Sequence, residues 1–80
     1  MSFRIAIVED EYFIAEDLKA IIEKGGFEVV GIASNYEEAI VLIVETSPDL
    51  VLLDIQLDGE KSGIDLATIL YNKYQLPFII

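Results

Sequence analysis

Short apolar runs that stop at charge or glycine alternate along this chain with longer segments whose apolar positions recur every three or four residues. Phe3 to Val8 is a run of β-favouring residues halted by Glu9 and Asp10, and it predicts a short buried strand. Glu11 to Lys24 predicts a helix, with Ile14, Leu18, Ile21 and Ile22 at helical spacing and most charges elsewhere. Gly25 and Gly26 follow, and glycine readily takes the left-handed turn that ends a helix. Phe27 to Ala33 predicts a second strand.

Ser34 and Asn35 then offer helix caps, with Glu37 and Glu38 three residues beyond them at capping-box spacing. The segment they open, Ala39 to Val44, reads AIVLIV and has no polar side, so periodicity by itself does not exclude a strand. The preceding caps and the punctuation ETSPD after it favour a helix. Such a run is either deeply buried or a partner surface, and the pattern does not decide between them. Leu50 to Leu53 predicts a third strand, Ile55 to Ser62 a loop, and Gly63 to about Lys73 a third helix. Tyr71 and Tyr74 are expected to cover one face of that helix. A fourth strand begins in LPFII and reaches Ile80.

Strand and helix alternating with short connections predict parallel strands joined by right-handed crossovers, in an open α/β sheet with helices on both faces. The near-continuous apolar strands agree, because such strands are buried on both sides. One small domain is expected over the 80 residues.

Composition narrows what this fold does. Fifteen acids against five bases give a net charge of −10, which disfavours direct contact with nucleic acid or an anionic membrane. With 54% hydrophobic residues and a mean hydropathy of +0.50, the chain is too apolar for a disordered acidic tail. It has no cysteine, hence no disulfide, thiolate nucleophile or thiolate metal site, and no histidine to act as base or ligand. The N-terminus lacks the shape of a signal peptide and no run approaches a membrane span, so a cytoplasmic location is expected.

The candidate chemistry lies where strands end. In an open parallel sheet every strand presents its carboxyl end to one edge, and ligands bind there. Glu9 and Asp10 follow the first strand and Asp54 ends the third. One acid after a strand is an ordinary solvated loop residue, but three on neighbouring strands would crowd like charges that a cation relieves. Oxygen donors without His or Cys point to a hard ion, and Mg²⁺ fits best. The backbone carbonyl of Gln56 stands close enough in sequence to complete its shell. With that charge offset, the Asp54 carboxylate can attack a phosphoryl group and form an acyl phosphate.

RIAIVEDE near the start and PDLVLLDIQLDGEKSGIDLA in the middle resemble the receiver domain of two-component response regulators. The similarity runs the length of the chain and includes EEAI early in the second helix. It implies a flavodoxin-like sheet of order 2-1-3-4, with Asp54 as phosphoacceptor, Glu9 and Asp10 as the acid pair, and Gln56 as the carbonyl ligand of Mg²⁺. Glu9 stands where the family often has aspartate, a common variation. The resemblance also implies a partner in trans, a histidine kinase or phosphotransfer protein, which fits a chain that has no histidine.

The family pattern continues past the fourth strand with a Ser or Thr, a fifth strand ending in Lys, and a last helix beside the first. These are missing from residues 1–80, so the segment is expected to be an incomplete receiver domain. A chain ending at Ile80 is expected to self-associate through its exposed strand edge and first helix, or to fold poorly. Competing functions are an interaction module that is not phosphorylated, and a small Mg²⁺-dependent phosphohydrolase. Against the latter, Gln56 stands where a general acid two residues after the nucleophile would be needed. Gly59 and Gly63 are read as turn glycines rather than shapers of the loop near Asp54, and Asp58 as an exposed loop acid rather than a fourth ligand. Tyr12 and Phe13 are read as packing at the start of the first helix rather than a contact for a kinase.

Overall fold

The computed structural model describes residues 3–54 and 62–80. In chain order these form β1 (Arg4–Val8), α1 (Tyr12–Lys24), β2 (Glu28–Ala33), α2 (Tyr36–Thr46), β3 (Leu50–Leu53), α3 (Gly63–Ile69) and β4 (Phe78–Ile79). A π-helical turn, Leu70–Tyr74, continues α3. The strands make one sheet of order β2-β1-β3-β4, parallel at every pairing. The α/β architecture and the order 2-1-3-4 expected from the sequence are therefore the ones found.

Local chemistry explains where the elements start and stop. The Asn35 side chain accepts the backbone N–H of Glu38, and the Glu38 carboxylate accepts both the N–H and the hydroxyl of Ser34. Both cap residues thus serve α2, and the unbroken AIVLIV run is helical. Ser62 and Asp65 form a full capping box at α3, each side chain accepting the other's backbone N–H. At the end of α1, Gly26 takes the left-handed conformation, φ 94°, while Gly25 stays right-handed.

The third helix departs from expectation. It is α-helical only to Ile69 and then widens into the π turn, so its α-helical part stops short of Lys73. The chain leaves through Gln75 at φ 51°, and the Leu70 carbonyl accepts both Gln75 and Leu76 N–H groups. Pro77 disfavours helical backbone at Leu76, so the helix has to end before it. Tyr74 packs on the core, but Tyr71 is largely exposed, so the two do not cover one face together.

The sheet has two unequal faces. On one, Ala6, Val8, Val51 and Leu53 meet Ala39 and Ile43 of α2 and Leu66 and Leu70 from α3 and the π turn, all buried. Gly31 lets α2 come close here: a Cβ on it would stand 2.6 Å from a methyl of Leu42. On the other face, Ile5 and Ile7 are buried and α1 supplies a fully buried Ala15. The α1 positions Ile14 and Ile21 nonetheless remain exposed, at 45% and 68%.

At the edge opposite the site, Arg4 ties the sheet to the end of α2. Its guanidinium donates to the carbonyls of Thr46 and Ser47, a cation placed at a helix C-terminus, and its backbone N–H donates to the Asp49 carboxylate. No helix among the described residues is long and apolar enough to cross a membrane.

Candidate functional site

Strand pairing carries each candidate carboxylate to one edge. The backbone N–H of Glu9 donates to the Ala33 carbonyl at 2.9 Å, which extends the β1–β2 pairing one residue past the strand. In the same way the Asp54 N–H donates to the Val8 carbonyl at 2.9 Å and extends β3 along β1. Neighbouring strands in register (Val8 opposite Leu53) therefore deliver Glu9 and Asp54 side by side, and Asp10 lies at the bend before α1.

Glu9, Asp10 and Asp54 each offer one carboxylate oxygen, and these oxygens lie within 4.8 Å of one another. All three residues are half-buried. The expected convergence of the acid pair and the strand-ending aspartate is thus found. Gln56, the predicted carbonyl ligand, lies outside the described residues, as do Asp58 and Gly59.

The electrostatics follow from the crowding. Burial, the largest cause, pushes the Glu9 carboxyl above its ordinary range, and the neighbouring Asp54 and Asp10 act in the same direction. The Glu11 backbone N–H opposes them by donating to the Glu9 carboxylate at 3.2 Å. This brace, from a residue read only as the start of a helix, was not foreseen. Its signal was the short step from the strand end to the helix start, which leaves a first-turn N–H unsatisfied.

The donor set fits Mg²⁺. Three carboxylate oxygens within 4.8 Å of one another, with no nitrogen or sulfur donor among them, are the donor type a hard divalent ion takes. Beneath the carboxylates an apolar cavity of about 340 Å³ opens on the α1 side, lined by Ile7, Leu18, Leu52 and Ile79 among others. Tyr12 and Phe13 stand beside the site as an edge-to-face pair, 5.6 Å between centroids, and both are strongly exposed. They do not pack at the start of α1 as expected.

Comparison with known proteins places this geometry in a family. The family model described as "Response regulator receiver domain" matches residues 5–80. The phyllosphere-induced regulator PhyR of Methylorubrum extorquens is 40% identical over 80 residues, covering 99% of this chain and 30% of the relative. Among solved structures, PhyR of Bartonella quintana, an anti-anti-sigma factor in complex with the anti-sigma factor NepR, is similar with a TM-score of 0.87 and 37% identity. The match covers 98% of this chain and 32% of that one. The BeF₃-activated N-terminal receiver domain of Klebsiella pneumoniae RstA aligns with a TM-score of 0.85 and 35% identity, over 94% of this chain and 62% of that one. The chain thus spans about a third of the PhyR proteins it matches.

Proposed function

Because the chain belongs to the response regulator receiver domains, we propose that it takes a phosphoryl group from a partner kinase or phosphotransfer protein onto Asp54. One observation carries this reading above the others: three carboxylates from two strand ends converge within 4.8 Å at the carboxyl edge of a parallel sheet. In the step, an Asp54 carboxylate oxygen attacks the phosphorus of a phosphohistidine in the partner. The new O–P bond forms as the N–P bond breaks, and the imidazole leaves with the electron pair. Glu9, Asp10, Asp54 and the Gln56 carbonyl would hold Mg²⁺, which would offset the negative charge gathered around the phosphoryl oxygens.

The protein's own contribution is positioning. The strand-like pairing of Asp54 on Val8 fixes the nucleophile's backbone, and the Glu11 N–H orients the Glu9 carboxylate before any ion arrives. The likeness to PhyR, which has been solved in complex with the anti-sigma factor NepR, supports a receiver that belongs to a regulator with a protein partner of that kind.

Intact-mass spectrometry with a small phosphodonor and Mg²⁺ tests the central step. The wild-type chain is expected to gain one phosphoryl group, and to gain none with EDTA or as Asp54→Ala. A gain that survives Asp54→Ala overturns the assignment. Mg²⁺ binding without any phosphoprotein turns the reading to an interaction module.

A further inference from the structure

The outward side of α2 carries apolar surface that nothing in the described fold covers. Val41 and Val44 are 55% and 61% exposed, while Ala39 and Ile43 on the inward side of the same helix are buried. Glu37 lies one turn before Val41, and Glu45 one turn after it beside Val44, so the valines are bracketed by carboxylates along one stripe. Next to them a shallow groove of about 410 Å³ runs between α2 and the edge strand β2, lined by Ile32, Leu42 and Glu38 as well as Glu37, Val41 and Glu45. This surface lies across the molecule from β4, at the other margin of the sheet.

Charge selects the occupant. From Glu28 to Asp49 the chain has five acids, Glu28, Glu37, Glu38, Glu45 and Asp49, and no lysine or arginine. Arg4, which reaches this part of the fold, is engaged at the α2 C-terminus and pairs with Glu28 at 4.0 Å. The Ser34 backbone N–H and hydroxyl donate to the Glu38 carboxylate and lower its pKa. A second copy docking here would set Glu37 and Glu45 against their own counterparts, and an anionic bilayer or nucleic acid would be repelled. An extended segment added to β2 would meet the irregular register of that strand around Val29 and Gly31. A helix needs only the stripe, which runs along a single helix.

We propose that the outer face of α2 docks a basic amphipathic helix of a partner protein. Its aliphatic side chains would rest on Val41 and Val44, and its lysine or arginine side chains would reach Glu37 and Glu45. The surface is small, which places the contact among weak, transient and salt-sensitive ones. This inference does not depend on phosphorylation of Asp54.

The test is an NMR titration of the full ¹⁵N-labelled chain with a synthetic leucine–lysine peptide patterned as an amphipathic helix. The same composition scrambled, and a leucine–glutamate version, serve as controls. The expected result is amide shifts confined to Glu37–Thr46 and the neighbouring Ile32, weakened by salt and absent with both controls. Val41→Lys with Val44→Lys should lower the affinity about tenfold or more, and because both valines face water the fold should persist. Should that variant unfold, Glu37→Gln with Glu45→Gln gives an independent reading, the loss of most of the salt dependence. Shifts centred on Glu9, Asp10 and Asp54 or on α1, or equal binding of the scrambled peptide, overturn the proposal. Shifts confined to β2 would mean strand addition and overturn it as well.

Discussion

The two faces of the sheet are made from the same strands by the same alternation, yet they end in different states. Towards α2 and α3, Ala6, Val8, Val51 and Leu53 are buried against aliphatic side chains of both helices. Towards α1, Ile5 and Ile7 are buried, but Leu52 is only half-buried and Ile79 is 54% exposed. Strand sequence does not account for the contrast, since both faces carry mostly aliphatic side chains. The helices do: two pack on the first face, and on the second α1 packs mainly on β1 and β2, so that among the described residues β3 and β4 stay partly open. The difference teaches that an apolar strand position states a capacity for burial, and the neighbouring layer decides whether it is used.

The strongest way to break that comparison is to remove equal side chains from both faces. Leu66 is fully buried on the α2–α3 side, so Leu66→Ala is expected to destabilise by about 2–5 kcal/mol. Leu52→Ala removes the same atoms from a site already open to solvent, and about 1 kcal/mol is expected. Urea unfolding of the two variants beside wild type gives both numbers. Equal losses would mean that the α1 face is closed in solution, by a second copy or by rearrangement, and the contrast would fall.

This asymmetry also explains how far the sequence could be read. Element type, order and parallel sense were legible because alternating strands and helices with short links allow few topologies. The acid cluster was legible for the same reason: once β1 and β3 are neighbours, Glu9 and Asp54 must share an edge. The open side of α1 was expected from the family resemblance, and its own periodicity did not reveal it. Ile14, Leu18, Ile21 and Ile22 recur as a core face should, but periodicity reports a stripe and not the presence of a layer to receive it. The fate of AIVLIV was hidden similarly, because a run apolar on every side cannot say that Ala39 and Ile43 go inward and Val41 and Val44 outward. The capping box at α3 has a signal of its own in the Ser62–Asp65 spacing. The π turn has no comparable signal: Pro77 marks only where the helix must already have ended.

A smaller effect sharpens the contrast at the surface of α1. Ile21→Lys places a charge on the predicted core stripe at a position 68% exposed, and a stability change within about 0.5 kcal/mol is expected. Thermal unfolding at low protein concentration checks it. A loss several times larger would show that Ile21 is covered in the protein as it exists.

An effect of similarly small size lies where the two faces meet, at the carboxyl edge. Burial and the neighbouring acids raise the pKa of Glu9, so the folded protein holds that proton more tightly than the unfolded chain does. The ionised carboxylate therefore opposes folding. That penalty is absent below the ordinary value of 4.5, grows as pH rises through the raised folded value, and is complete above it. Glu38 behaves oppositely: its pKa is lowered by the Ser34 donors, and its stabilisation is lost as pH falls through the lowered value. The two cannot be separated in a single pH profile, but the difference between wild type and Glu9→Gln isolates one. Without metal, Glu9→Gln is expected to be more stable than wild type at pH 7 by about 0.5 kcal/mol, with the gain vanishing near pH 4. With Mg²⁺ the order should reverse, because wild type gains a ligand that the variant has weakened. A variant less stable than wild type at pH 7 without metal would mean that the Glu11 N–H outweighs burial, and that the site is at ease with its charge before any ion binds.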